Sequence, residues 1–363
     1  MITAGDDYPL HQTPEPVAYA GSDRNFYDRY FFNGYSADGN LFFAAAMGFY
    51  PQLGIVDGAF CLTIDGVQHN LRASRHLHGD RMELSVGPIS IEIVKPLNKL
   101  RLQVTGNDCS ITADLTFTAR HLPIEEPRFT RRNGTRMLMD VTRMTQNGVW
   151  SGTIMKDGQE IVVDGNAVLG TRDRSWGIRP IGASETQPPI GGSLAQFYWL
   201  WAPCNFDEHA CFAHTNDDAG GEPWNRRSVI APLTGEMQEA DNQPVSTQYR
   251  AGTRRASQAK FSLGENRSLT VTPTGLVFYM SGLGYTHPEW GHGMDHGGDA
   301  VAYDHIDLAS VDDNNPANLH IQALSKAVLN DCETEHSGIG VLEQMFVGPH
   351  APSGFAEAWD MAK

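Results

Sequence analysis

The chain has little with which to hold a membrane or a nucleic acid. It contains no stretch of about 18 apolar residues, so no spanning helix is expected. Lys and Arg number 27 against 43 Asp and Glu, a formal net charge of −16. Nucleic-acid binders need a basic surface to displace counterions, and anionic membranes are held by polybasic segments; the excess of acid argues against both. Cysteine is scarce: Cys61, Cys109, Cys204, Cys211 and Cys332 are odd in number, widely spaced and form no CxxC. The start, Met1 to Tyr8, has no basic stretch leading into an apolar one, so no secretory signal is read. Reduced thiols and a cytoplasmic location are the expectation. No GxGxxG opens a helix, and neither GxxxxGK[ST] nor GxSxG occurs. Nucleotide-dependent chemistry and the serine-hydrolase elbow therefore have no sequence support.

What the chain does have is many short strands with turn punctuation. Leu41 to Tyr50 is aromatic and apolar. Ala59 to Ile64 runs into Asp65-Gly66, a strong hairpin signal. Gly152 to Met155 meets Gln159 to Val163 across Lys156-Asp157-Gly158. At least seven strands precede residue 170, joined by loops too short for crossover helices, so an antiparallel meander is predicted. The second half repeats the style from Ala195 to Val347. Over 363 residues this gives an all-β chain of two antiparallel barrel or sandwich units, residues 1–180 and 181–363. Pro180 to Gly192 reads as the linker, and Phe355 to Met361 as a short terminal helix. A closed sheet leaves an interior that can hold an apolar ligand.

Four clusters stand out. The first is Gly170 to Arg179, with three Arg and one Asp around Trp176. Strand alternation puts Arg172, Arg174 and Trp176 on one face and Asp173 on the other. Either the arginines hold Asp173 ionised or bind an anionic group, or the cluster is a structural ion-pair network. The second is Gly284 to Asp299, with His287, His292 and His296 beside Glu289, Trp290, Asp295 and Asp299. It reads as a polar loop closing a ligand cavity, with His287 for proton transfer and Trp290 and His292 on the wall. A surface loop of solvated histidines and a metal site on His287, His292 and His296 are the alternatives. The third is the strand Phe197 to Trp201, where Trp199 and Trp201 share a face opposite Tyr198 and Leu200; either face could line a cavity. The fourth, Asp23 to Tyr35, reads as a plug or lining segment at one barrel end.

The segment Arg172-Asp173-Arg174-Ser175-Trp176-Gly177 resembles the HDHNWG-type motif of the carotenoid 1,2-hydratases. That group also includes hydroxyneurosporene synthases, AttH-like proteins and kievitone hydratase-like enzymes, with related folds among fungal cyclases that perform Diels–Alder reactions. The resemblance implies two lipocalin-like β units over roughly residues 20 to 347, and acid-assisted hydration, dehydration or cyclisation of an apolar substrate without a redox cofactor. Asp173 and Trp176 match the motif's Asp and Trp. Arg172 and Arg174 stand where the family has His. Arg does not surrender a proton near neutral pH, so carotenoid hydration itself is not expected.

The leading expectation is a lyase or isomerase acting on a hydrophobic terpenoid, steroid or aromatic molecule in a barrel pocket. Asp173, Arg174 and His287 are the catalytic candidates. Arg172, Trp176, Tyr198, Trp199, Trp201, Trp290 and His292 are the substrate-binding candidates. Arg179 is expected, with Arg174, to fix a substrate carbonyl or carboxylate. No metal or other cofactor is expected, and a non-catalytic carrier of an apolar molecule is the alternative.

Overall fold

The computed structural model describes residues 1–10, 17, 20–187, 196–240 and 244–363. The second half of the expected linker, 188–192, lies outside them. The described residues form strands and short 3-10 turns, with no α-helix among them. The strands are β1 (Phe26–Ser36), β2 (Phe42–Tyr50), β3 (Ile55–Ile64), β4 (Val67–His76), β5 (Ser85–Val86), β6 (Ile89–Lys95), β7 (Lys99–Val104) and β8 (Ile111–Ala119). They continue with β9 (Ile124–Glu125), β10 (Phe129–Asn133), β11 (Arg136–Lys156), β12 (Gln159–Val163), β13 (Val168–Ile178), β14 (Phe197–Asn205), β15 (His209–Asp217) and β16 (Pro223–Pro232). The rest are β17 (Gln238–Glu239), β18 (Val245–Tyr249), β19 (Ala256–Ser262), β20 (Arg267–Tyr279), β21 (Ala300–Asp307), β22 (Ile321–Asp331) and β23 (Thr334–Val347).

The chain divides into two compact units, Met1–Gly191 with Gly282–Asp307, and Gly192–Ser281 with Leu308–Lys363. The first holds one curled sheet in the order β21-β4-β3-β2-β1-β13-β11-β8-β7-β6-β5, with β9, β10 and β12 also pairing along β11. The second holds β17-β16-β15-β14-β23-β22-β20-β19-β18. These are two antiparallel, lipocalin-like units. The expected hairpins form where the turn residues allow the left-handed region: Asp65 and Gly66, and Asp157 and Gly158, all have positive φ.

Three expectations are corrected. First, residues 282–307 do not belong with the second half. β21 pairs along the whole of β4, from Ala300 opposite Ser74 to Asp307 opposite Val67. Second, the aromatic N-terminal stretch is not a plug from residue 26 on. It forms β1, a central strand between β2 and β13, because its alternate residues suit two different buried faces. Third, no helix forms over Phe355 to Met361. The Arg254 guanidinium takes the carbonyls of Gly348, Glu357 and Asp360, and that of Glu357 is one that a helix here would give to residue 361.

The concave side of the first unit is filled. Phe32, Phe43 and Phe117 surround Trp150 with ring centroids 5.2 to 5.7 Å apart, in edge-on contacts. Trp150 also donates from its indole to the Asn33 carbonyl at 2.8 Å. Leu, Ile and Val residues of β6, β7 and β8 complete this core. The barrel-pocket expectation gives way here: large side chains fill the space a ligand would need. The second unit has its own apolar core around Tyr198, Leu200, Phe261 and Phe346.

The Arg172 to Trp176 face of β13 points into the first unit's concave side, and the N-terminal residues cross it. Arg172 pairs with Asp7 at 2.5 Å and donates from Nε to Gln146 at 2.8 Å; both members of the pair are fully buried. Arg174 pairs with buried Asp28. It also donates to the carbonyls of Asp6, Tyr8 and Arg29 and lies 4.0 Å from the Tyr30 ring centroid. Asp7 accepts from Leu97 N as well. The network ties residues 6–10 to three strands. Breaking a buried pair leaves one charge uncompensated, so Arg172→Met or Asp7→Asn should each cost about 3–5 kcal/mol in urea unfolding, while Asp7→Leu with Arg172→Met should cost much less. Single variants within about 1 kcal/mol of the parent would contradict a structural pin.

Candidate functional site

The outward face of the first unit's sheet is the unusual one. β2 reads Phe-Phe-Ala-Ala-Ala-Met-Gly-Phe-Tyr and is buried throughout, as a strand covered on both faces must be. Opposite the apolar core, alternation places Arg29 of β1, Asp57 of β3, and Asn70 and Arg72 of β4. Gly48 of β2 lies between the first two, and a Cβ there would meet the Tyr50 hydroxyl at 2.2 Å. The glycine therefore lets Tyr50 reach across to Asp57.

A chain of donors follows. Arg29 Nη1 donates to the Tyr50 hydroxyl at 3.3 Å, and that hydroxyl donates to Asp57 Oδ1 at 3.0 Å. Asp57 Oδ2 accepts from Gly293 N at 2.8 Å. Burial pushes the Asp57 carboxyl above its usual range; Arg29, Gly293 N and Tyr50 pull it down without cancelling that rise. Burial likewise raises Tyr50 well above an ordinary phenol.

The 282–299 segment lies over this face. Arg72 Nε holds the Gly282 carbonyl at 2.9 Å, and Arg29 Nη2 holds the Leu283 carbonyl at 3.1 Å. At Gly282 a Cβ would meet Asn70 Oδ1 at 2.3 Å and Gln68 Nε2 at 2.5 Å, so this close approach needs glycine. His287 Nδ1 accepts from Trp290 N at 2.9 Å and Glu289 N at 3.2 Å. Its Nε2 faces Asp304 at 3.8 Å. Burial, then Arg72, lowers its pKa. A neutral His287 that organises the turn is what this geometry supports. His292 Nδ1 accepts from Arg179 at 2.9 Å, and its Nε2 donates to the Leu283 carbonyl at 3.0 Å. Trp290 stacks on His296 at 3.8 Å. The three histidines face different partners, and among the described residues no three His, Cys, Asp or Glu side chains converge as metal ligands.

Under this segment lies a narrow cleft of about 10 Å³, lined by Asp57, Arg72, Ser74, Trp290, Met294 and His296 among others. That is room for about one water molecule. A wider surface groove of about 520 Å³ is lined by Lys99, Arg101 and Asp114, the last two an exposed ion pair. Chemistry needs a buried acid or base more than volume, and the narrow cleft has Asp57.

The second unit carries a different polar cluster. Trp199 Nε1 donates to Glu343 Oε1 at 2.9 Å, His320 Nε2 meets the same oxygen at 2.8 Å, and Gln322 Nε2 donates to Oε2 at 2.7 Å. Trp199 and Trp201 share this face with His214 and Phe212. Tyr198 points the other way, into the apolar core, stacked 4.5 Å from Phe346. Burial alone would raise the Glu343 carboxyl, but His320, Gln322 and Trp199 outweigh it and hold it below the ordinary range.

The sequence candidates are thus dispersed. Arg172 and Arg174 are bound to Asp7 and Asp28. Trp176 shares their face, 5.9 Å from Arg174. Asp173 sits on the outward face, opposite Phe31 and Thr145 in an unbroken register. Of the site candidates only Trp290 lines the cleft; His287 and His292 lie in the segment over it, and Arg179 donates to His292. Asp57 at the cleft, Tyr50 beside it, and His320, Gln322 and Glu343 in the second unit were not singled out, while Arg29 and Tyr285 fell inside the Asp23 to Tyr35 and Gly284 to Asp299 stretches with no role of their own. A lone acid inside an apolar strand was the available signal for Asp57 and Glu343.

A family model covers residues 2–356, that of the family of unknown function DUF8625. The chain belongs to this family. No curated protein sequence matches it. Among solved structures it is similar to the Nitrosomonas europaea protein assigned as an AttH, with 14% identity, 89% of this chain and 94% of that one covered, and a TM-score of 0.50. It is similar to CghA with Sch210972 at 10% identity, covering 95% of this chain and 96% of that one, with a TM-score of 0.51. Kievitone hydratase from Nectria haematococca follows at 12% identity, 88% of both chains and a TM-score of 0.49. The chain therefore has the two-unit lipocalin-like fold of the AttH group, the fold that the Arg172 to Gly177 resemblance implied.

Glu343 has a folded pKa below its unfolded value of about 4.3, so its stabilisation is present above that pH and lost as pH falls through the folded pKa. Glu343→Gln should lower the thermal midpoint at pH 7, and the gap should close below about pH 4. A gap that stays constant into acid would contradict an ionised Glu343.

Proposed function

We propose that the protein is a cofactor-independent lyase or isomerase of the hydratase, dehydratase or cyclase type, acting on a hydrophobic small molecule at the cleft beneath the 284–299 loop. The observation that carries this reading is Asp57: a buried carboxyl with a raised pKa, hydrogen-bonded to Tyr50, facing Trp290 and Met294. Such an acid keeps its proton at pH values where an ordinary Asp has lost it, and general acids are most effective near the working pH. In the hydration direction Asp57 gives its proton to a substrate double bond. Water adds to the carbon left positive, and the carboxylate takes a proton back from that water. Arg29, through Tyr50, steadies the carboxylate stage.

The cleft as it stands admits about one water, so substrate entry requires the loop to lift. Its hinge candidates are Gly284, at φ +94°, and Gly293, at φ +74°. Closure with Trp290 and Met294 in contact would keep bulk water from the carbocation-like stage. The fold's occurrence in CghA with Sch210972 supports an organic small molecule as the ligand class. Terpenoids, steroids and aromatics are the classes to test.

The test begins with native mass spectrometry and solvent extraction of the purified protein, followed by turnover of the extracted class in isotopically labelled water. Asp57→Asn should lower turnover by about 10²–10⁴ while the protein stays folded. Because the protonated form is the active acid, turnover should fall as pH rises through a pKa above about 3.9. Full activity in Asp57→Asn would remove Asp57 as the acid. A stoichiometric ligand that never exchanges label or changes mass would favour a carrier instead.

A further inference from the structure

Two arginines meet at one ring in the first unit. The guanidinium carbons of Arg29 and Arg179 lie 5.2 and 5.4 Å from the Tyr285 ring centroid. Arg29 spends Nη1 on Tyr50 and Nη2 on the Leu283 carbonyl. Arg179 spends Nη2 on His292 Nδ1, hydrogen-bonds with Tyr285 and stacks 4.4 Å from the Tyr27 ring centroid. In both residues the Nε–H is buried and has no acceptor, and Arg29 is only 2% exposed. The fully buried ion pairs of this unit use Arg172 and Arg174; among the described residues neither Arg29 nor Arg179 forms an ion pair. The nearby carboxyl is Asp57, and its two oxygens already accept from Tyr50 and Gly293.

Asp57 is the carboxyl that offsets them, so among the described residues two guanidinium groups share a single acid. Burying a charge without a counter-charge is costly, and two guanidinium groups near each other add repulsion. An oxyanion would relieve both costs, since it accepts from planar N–H forks and supplies the missing charge. We propose that Arg29 and Arg179 form an oxyanion subsite that takes the carboxylate or enolate group of the substrate. This rests on the reading of the cleft as the substrate site, and it narrows the substrate from a hydrophobic molecule to a hydrophobic organic acid. Asp57 then acts at a neighbouring carbon while the anionic end is held.

The experiment is titration calorimetry on the full chain with benzoate, benzamide and inorganic phosphate. Benzoate should bind at least about tenfold more tightly than benzamide, which has the same shape without the charge. Arg179→Gln and Arg29→Gln should each weaken benzoate about tenfold or more and leave benzamide unchanged. Arg179→Lys, which keeps the charge and loses the fork, should fall between. Equal binding of benzoate and benzamide to the parent protein, or no binding of either, overturns the proposal without any variant having to fold. Phosphate binding without benzoate binding also overturns it, since the site would then serve a free inorganic anion. If benzoate preference holds while Asp57→Asn keeps full turnover, the acid assignment falls and the subsite stands. If Asp57→Asn abolishes turnover but benzoate shows no preference, the subsite falls alone.

Discussion

Eleven residues of β1 run beside eleven of β13 with no slip in register. Side chains in such a pair alternate strictly between two faces, and nearly every assignment in the first unit follows from that. Tyr30, Phe32, Arg172 and Arg174 must share the concave side. Arg29, Asp173 and Ser175 must share the other. A single bulge would have turned Asp173 toward Arg174 and made one acid–base cluster of the HDHNWG-like segment. Its absence makes Arg172 and Arg174 anchors for the N-terminal residues and leaves Asp173 on the opposite face.

The outward face can be polar and buried at once because segment 282–299 covers it and supplies hydrogen-bond partners. Arg29 and Arg72 reach carbonyls at 283 and 282, and Asp57 reaches the amide of Gly293. Glycines at 48 and 282 make room where a Cβ would collide. The result is a low-dielectric setting in which burial pushes the Asp57 carboxyl above its usual range while Arg29 and Arg179 stay charged beside it. The second unit solves a similar problem differently: Glu343 accepts from Trp199, His320 and Gln322 and stays ionised.

Several features were legible in the residues. Asp65-Gly66 and Asp157-Gly158 announced their hairpins, and the run of short alternating segments announced an antiparallel, all-β chain. Alternation alone separated Trp199 and Trp201 from Tyr198. The loop rich in His and Gly was picked out, and it does lie over the cleft. Asp57 was harder to see, because a lone acid inside an apolar strand shows burial but not which groups it meets. Its raised pKa comes from burial, beneath a segment whose Gly293 is 236 positions away in sequence.

The sequence by itself determined the strand period, the turns and the two-unit β class, because each depends on neighbours a few residues apart. It also determined which side chains share a face within one strand. Only the tertiary structure decided that β21 returns to pair with β4, that the concave side is packed rather than open, and that the arginines of the HDHNWG-like segment are already neutralised by Asp7 and Asp28. Those outcomes depend on which distant charge or ring arrives opposite each residue, and a burial energy of that kind belongs to the pair, not to either residue's local sequence.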